Sequence, residues 1–223
     1  MTGAPQTERG QFVARRMTAG EQLRAEKKAW RLVQLLVGLV GYGTALTFLV
    51  GSSLGASSWS VLAEGLSLRT GMSFGWATNL TAVVVLLCWI PLRELPGLGT
   101  FLNVVLVGTS ADLAALFVPP PTSLVQQIGY LLLGLLMLTF SDAVYLGARF
   151  GSGPRDGLMT GAVRLSGGKP IWLVRTAIEL VVLTAGWLLG GTVGLGTLLI
   201  ALLMGPLVQQ FLRVTTVRLA ADG

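Results

Sequence analysis

The sequence contains no histidine and one cysteine, and only 12% of its 223 residues are charged. Without histidine there is no Ser-His-Asp triad, no histidine proton relay and no histidine metal ligand. The lone cysteine, Cys88, excludes a disulfide within the chain and a cysteine cluster for zinc. A soluble domain carries about a quarter charged residues, so the composition argues against a soluble enzyme.

Long apolar runs dominate instead, and 52% of the residues are hydrophobic. A helix needs about 20 mostly apolar residues to cross a bilayer. The predicted spans are 31–51, 75–92, 98–118, 124–148, 170–190 and 194–214. Little chain remains outside them. The sequence therefore predicts one all-α integral membrane domain with about six transmembrane helices, whose main partner is the lipid bilayer.

The positive charges give the orientation. On the six-span topology, 15 of the 16 lysines and arginines fall on one side, with Arg31 at the membrane entry, and only Arg69 falls on the other. Positive residues mark the cytoplasmic side, so both termini are predicted to be cytoplasmic. The net charge of +6 then reflects topology and contact with anionic lipid headgroups, and not nucleic-acid binding.

The chain contains an internal repeat. Gly97-Leu98-Gly99-Thr100 recurs 97 residues later as Gly194-Leu195-Gly196-Thr197, and each copy is predicted to start the third span of its unit. Because each unit has three spans, the second must enter the membrane from the opposite side, which gives inverted repeats. The predicted organisation is a polar disordered tail over 1–28, repeats over 29–118 and 124–216, a Pro-rich outer linker over 119–123 and a cytoplasmic tail over 217–223.

A short amphipathic segment lies between the first two spans of each repeat. In the second repeat it begins with Gly153, Pro154, Arg155, Asp156 and Gly157. Proline suits the first helical turn, and a carboxylate is favoured there. The segment is too short to cross, so it is predicted to be an interfacial or re-entrant half-helix that aims N–H groups into the protein, a device that holds anions. A helix cap with a cytoplasmic topology charge is the alternative.

The equivalent stretch of the first repeat runs from Gly55 to Ser60. It keeps the small residues and the amphipathic stripe, which includes Trp59, but it lacks the proline, arginine and aspartate. If one copy binds a charged group, the sequence favours the second.

Polar side chains inside predicted spans form the second candidate set. Charges in a bilayer are expensive and usually face the protein interior in pairs. Arg175 and Glu179 are four residues apart and can pair on one helical face, with a structural ion pair as the alternative to function. Asn79 is interpreted as the counterpart of Arg175 in the first repeat, and Asp142 as a carboxylate that could carry a proton.

The second half of the chain contains a specific set of motifs. They are Gly153-Pro154-Arg155-Asp156-Gly157-Leu158-Met159, Val174-Arg175-Thr176 with Glu179, Gly186-Trp187-Leu188-Leu189-Gly190-Gly191, the Gly194–Thr197 turn and Gly205-Pro206-Leu207. With these motifs the chain resembles the YczE/YitT-like family of bacterial integral membrane proteins; the resemblance covers about residues 30–214 and is strongest after residue 145. That family typically has a Ser-Pro-Trp-Asp-like stretch in its first repeat, of which Ser57-Ser58-Trp59-Ser60 keeps only Ser and Trp. The resemblance implies a multi-pass protein of the bacterial inner membrane, a family in which transport is often presumed.

The leading functional hypothesis is a small transporter or permease for an anionic or zwitterionic solute bound between the two repeats. The residues predicted to line the path are Asn79, Asp142, Gly153, Pro154, Arg155, Asp156, Gly157, Arg175 and Glu179. The alternative is a non-transporting partner, either the substrate-binding subunit of a larger importer or a scaffold of a membrane complex. No catalytic centre, metal or cofactor is expected, and a homodimer or another membrane subunit remains open.

Overall fold

A computed structural model of the chain describes residues 26–167 and 170–217. Residues 1–25 and 218–223, which hold most of the two predicted tails, lie outside the described residues. Within the described ranges the chain forms nine helices and no strand. They are α1 Lys28–Gly51, α2 Ser58–Thr70, α3 Phe74–Leu87, α4 Trp89–Leu92, α5 Leu98–Ala115, α6 Leu124–Gly147, α7 Pro154–Leu165, α8 Ile171–Leu188 and α9 Leu195–Thr215.

Five helical segments of the described chain are long and apolar enough to cross a membrane. They are Lys28–Gly51, Phe74–Leu92, Leu98–Ala115, Leu124–Gly147 and Leu195–Thr215. The chain is therefore an all-helical, multi-pass membrane protein. The sixth predicted span coincides with α8, which has 18 residues. The six-helix count stays a prediction.

Small polar residues set the helix starts. The Ser57, Ser73 and Ser123 hydroxyls accept hydrogen bonds from backbone N–H groups of α2, α3 and α6, which satisfies donors that a helix start leaves free. Thr100 and Thr197 act in reverse: each hydroxyl accepts from the N–H of the glycine three residues earlier, at 3.1 and 3.3 Å. The two Gly-Leu-Gly-Thr motifs therefore start α5 and α9, as predicted.

The helix pattern repeats along the chain. Helices that begin at residues 28, 58, 74 and 98 have counterparts that begin at 124, 154, 171 and 195. The counterparts α1 and α6 pack together at the centre of the fold, with Gly38 against Tyr145 and Leu49 against Gly134. The middle of α1 contacts the end of α6 and the end of α1 contacts the middle of α6, so the two helices run antiparallel.

The two halves also exchange equivalent contacts. The Gly99 N–H at the start of α5 donates to the Phe150 carbonyl of the second half, and the Gly196 N–H at the start of α9 donates to the Leu54 carbonyl of the first, both at 2.8 Å. The loop before α2 and the loop before α7 are thus each held by a hydrogen bond from the other half of the chain. Gly55 and Gly151 lie in these loops with φ values of 104° and 107°, a conformation that favours glycine.

Arg31, which the sequence analysis counted at the membrane entry among the charges of one side, has a structural role in the interior. Its side chain is fully buried and donates from Nε to the Ala148 carbonyl and from Nη2 to the Arg149 carbonyl, both at 2.9 Å. Its guanidinium also lies 4.3 Å from the centre of the Phe150 ring. Arg31 therefore holds the loop that leads into α7.

A closed seam joins α3 to α5 in the first half. Gly75 and Gly108 face each other so closely that a Cβ on either would collide with the other's carbonyl oxygen. The Asn79 carbonyl oxygen accepts from the Gly108 N–H at 2.9 Å, and its amide donates to the Val105 carbonyl at 3.2 Å. Asp112 completes the seam, because its carboxylate accepts from the Ser73 hydroxyl at 2.5 Å and from the Gly75 N–H at 2.7 Å.

Candidate functional site

The two half-helices, α2 and α7, begin in the interior of the protein. Ser57, the residue that caps α2, and Arg155, in the first turn of α7, line the same two cavities. These residues come from opposite halves of the chain. Their meeting point is therefore the junction between the two cavities.

The start of α7 is held from several sides. The Trp89 indole donates to the Pro154 carbonyl at 2.8 Å, and the Thr100 hydroxyl donates to the Ser152 carbonyl at 2.7 Å. A Cβ on Gly157 would collide with the Trp89 ring, so this position accepts only glycine without rearrangement. Gly157 thus positions the half-helix and lines neither of these two cavities.

The first cavity has about 610 Å³ of empty space, including its open mouth. It lies mainly between α1, α3, α5 and the two half-helix starts. Its walls are Tyr42, Leu46, Ser57, Trp59, Ser60, Thr78, Thr81, Ala82, Val85, Asn103, Val107, Tyr145, Gly153, Pro154, Arg155 and Asp156. The wall combines three aromatic rings with one guanidinium and one carboxylate.

The second cavity has about 920 Å³ of empty space, including its open mouth. It lies between α8 and α9. Its walls are Ser57, Ser58, Arg155, Arg175, Thr176, Glu179, Leu180, Leu183, Thr197, Ile200, Ala201, Met204 and Gly205. Here the charged pair on α8 faces a mostly apolar α9.

The charges predicted from sequence converge on Arg155. The Arg155 Nε lies 4.0 Å from a carboxylate oxygen of Asp156, and its side chain is only 15% exposed. Asp142 and Glu179 also lie close enough to act on its charge through space. The site is therefore a network around one mostly buried guanidinium.

Asp142 is the most deeply buried carboxylate of this network. It lies on α6, is 5% exposed, and one of its oxygens has no hydrogen-bond partner among the described residues. Arg155, Asp156 and Arg175 act on it electrostatically. A buried carboxylate without full pairing is costly, and such groups concentrate at functional sites.

The structure brings together most of the predicted site residues. Gly153, Pro154, Arg155 and Asp156 line the first cavity, and Arg175 and Glu179 line the second. In the described chain, Arg175 and Glu179 do not come within 4 Å as an ion pair; the ion pairs there are Arg155–Asp156 and Arg164–Glu94. Arg175 and Glu179 therefore do not form the predicted ion pair, and both side chains line the second cavity.

Asn79 lies apart from this network, because it belongs to the seam between α3 and α5. The sequence analysis paired it with Arg175. Since α3 begins at Phe74 and α8 at Ile171, Thr176 is the structural counterpart of Asn79, and Thr78 is that of Arg175. The repeat gains one residue between Gly167 and Ile171 relative to Gly71 and Phe74.

The sequence analysis did not identify two of the aromatic residues that line the first cavity. Tyr42 and Tyr145 come from α1 and α6, and their rings pack edge to face with centres 6.1 Å apart. The Tyr145 hydroxyl donates to an Asp156 oxygen at 3.3 Å. The available signal was a phenol inside an apolar run in a chain that has only three tyrosines.

The family comparison fits this fold. The profile of a family of unknown function, DUF6198, matches residues 29–213. The chain belongs to this family. The matched range spans every helix that carries the two cavities, so the site lies within the family's domain.

Three relatives are uncharacterised proteins. An uncharacterised protein of Haemophilus influenzae is 37% identical over 193 residues, covering 85% of this chain and 86% of the relative. The uncharacterised membrane protein YczE of Bacillus subtilis is 32% identical, over 77% and 79% of the two chains. The uncharacterised protein YyaS of Bacillus subtilis is 30% identical, over 80% and 90%. No solved structure matches the chain.

Proposed function

We propose that this family member is a permease of the bacterial inner membrane that binds a small anionic or zwitterionic solute between its two repeats. Both termini are cytoplasmic in this proposal. The protein has no catalytic role and needs no cofactor.

One observation carries the proposal: Ser57 and Arg155, at the starts of half-helices from opposite halves, line both cavities. Half-helix N-termini that meet between repeats bind anionic groups in secondary transporters, with the site near the middle of the membrane. Helix N-termini carry a partial positive charge, and Arg155 adds a full one. A solute held at this junction would have a cavity on either side of it.

The antiparallel contacts of α1 and α6 support inverted repeats, since these helices are counterparts. A structure with two oppositely oriented copies can present a central site alternately to the two sides of the membrane. The charge distribution supports cytoplasmic termini, and the bacterial relatives support a bacterial membrane.

The first test is thermal unfolding of the purified protein in detergent with a broad panel of metabolites and ions. A ligand at 100 times its dissociation constant adds about 2.7 kcal/mol to the free energy of unfolding. We expect at least one small charged solute to stabilise wild type and not Arg155→Ala. Arg164→Ala is the matched control, since Arg164 lies on the same helix but is 53% exposed and pairs with Glu94; it should retain the shift.

A solute found in this way should then be taken up by proteoliposomes that contain wild type and not by those that contain Arg155→Ala. If no solute stabilises the protein, or if the bound solute is not transported, the permease proposal is wrong. The non-transporting partner would then be the better account, and co-purification of a second membrane subunit would support it.

A further inference from the structure

The charges around the junction do not suit a simple anion. The charged residues that line the two cavities are two carboxylates, Asp156 and Glu179, and two guanidiniums, Arg155 and Arg175. These charges balance, so an added anion would leave an uncompensated negative charge beside the mostly buried Arg155. Unbalanced buried charge is strongly unfavourable, so the preferred solute brings its own positive charge.

The first cavity offers a place for that positive charge. Tyr42, Trp59 and Tyr145 line it, and aromatic faces attract ammonium groups, quaternary ones included. The carboxylate of Asp156 lies on the same wall, 3.3 Å from the Tyr145 hydroxyl. Aromatic rings beside a carboxylate form an ammonium site.

The negative end of the solute has its own partners nearby. Arg155 lies beside Asp156, with 4.0 Å between the guanidinium Nε and the nearer carboxylate oxygen. The indole Nε1 of Trp59 is buried and has no hydrogen-bond partner among the described residues, so it is a donor ready for an acceptor in the cavity. The cation site and the anion site are therefore neighbours.

Two buried polar groups without full hydrogen bonding support a binding site here, in addition to the two helix N-termini. Asp142 is 5% exposed with one free oxygen, and Trp59 carries the free indole donor. Such groups are rare in folded proteins because they cost the desolvation of a polar atom without a compensating bond. Trp59 lines the first cavity, and Asp142 lies near enough to Arg155 to act on its charge.

We propose that the first cavity binds a compact zwitterion, with its carboxylate on Arg155 at the half-helix starts and its ammonium between Asp156 and the aromatic rings. This inference rests on the proposed function and names its solute class. The two charges of the solute are a few bonds apart, because the two protein charges are adjacent.

The test uses matched probes of one shape and different charge. Glycine betaine is the zwitterion, 3,3-dimethylbutanoate replaces its nitrogen with carbon and is a pure anion, and choline is a pure cation. Their affinities for the full-length protein in detergent are measured by calorimetry. We expect glycine betaine to bind at least about tenfold more tightly than either matched probe, as one cation–π contact with a buried ammonium is worth about that factor.

Variants separate the two ends of the site. Asp156→Asn and Tyr42→Leu should each weaken glycine betaine about tenfold and should not weaken the binding of 3,3-dimethylbutanoate, whereas Arg155→Gln should weaken both. Thermal unfolding without ligand checks that each variant folds, and Tyr42→Leu serves if Asp156→Asn does not.

The outcomes distinguish this inference from the proposed function. If 3,3-dimethylbutanoate binds as tightly as glycine betaine and neither Asp156→Asn nor Tyr42→Leu weakens glycine betaine, the zwitterion inference is wrong while an anion permease stands. If none of the probes binds and no solute of the broad panel stabilises the protein, both the inference and the permease proposal fail.

Discussion

The equivalent pairs of helices in the two halves of the chain pack differently. In the first half, α3 and α5 close on each other through the facing glycines Gly75 and Gly108. In the second half, α8 and α9 stand apart and enclose the second cavity. The counterpart of Gly75 is Trp172, which is 68% exposed and too large for such a contact.

The polar residues follow the same division. Asn79 and Asp112 bind backbone groups across the closed seam. Of their counterparts, Thr176 lines the second cavity and Gln209 is exposed on the protein surface. The first half thus uses its polar residues to hold helices together, and the second half places Arg175 and Glu179 where a solute can reach them. All four charged residues that line the two cavities, Arg155, Asp156, Arg175 and Glu179, come from the second half.

The strongest test of this difference is a methyl group at equivalent glycines. Gly108→Ala should lower the free energy of unfolding by about 3 kcal/mol, because the new Cβ collides with a backbone carbonyl that cannot move alone. Gly205→Ala, at the counterpart position with no atom within 4 Å of the new Cβ, should change it by less than about 0.5 kcal/mol. Reversible denaturant unfolding in mixed micelles measures both, and equal losses would show that the two helix pairs pack alike.

The carboxylate of the seam should have the next largest effect. Asp112→Ala removes the acceptor of the Ser73 hydroxyl and the Gly75 N–H, and we expect a loss of about 2 kcal/mol in the same assay. Gln209→Ala is the control at the exposed counterpart and should be close to neutral. A neutral Asp112→Ala would mean that the seam depends on the glycines alone.

The smallest effect is expected at Asn79, and it separates structure from binding. Asn79→Ala should cost about 1 kcal/mol of stability, typical of hydrogen bonds between membrane helices, and should leave solute affinity unchanged. Thr78→Ala, one residue earlier on the same helix, should show the reverse, since Thr78 lines the first cavity. If Asn79→Ala lowers solute affinity, Asn79 lines the solute path, as the sequence analysis predicts.

Much of the fold follows from local chemistry. Apolar runs, serine caps and the two Gly-Leu-Gly-Thr motifs predict the helices and several of their first residues. The half-helix at Pro154 is predictable because proline and an acidic first turn after a glycine-rich loop are typical of a helix start. The charges near the junction are predictable because ionised groups in apolar runs are costly and face the interior.

The remaining features depend on contacts between distant segments. Arg31 looks like a topology charge until the loop at Ala148 covers it. Asn79 is misassigned because one additional residue after Gly167 shifts the repeat, and one residue turns a helical side chain by about 100°. Tyr42 and Tyr145 look like ordinary core residues because nothing near them in sequence shows that a cavity forms between α1, α6 and α7.

The central claim is that two inverted halves enclose one site with a cavity toward each side of the membrane. Thr78 lines the first cavity and Thr176 the second. In a Cys88→Ala background, single cysteines at these two positions can be labelled with a membrane-impermeant thiol reagent from either side. The account predicts that Thr78→Cys reacts from the outside and Thr176→Cys from the cytoplasm. Reaction of both cysteines from the same side would contradict it.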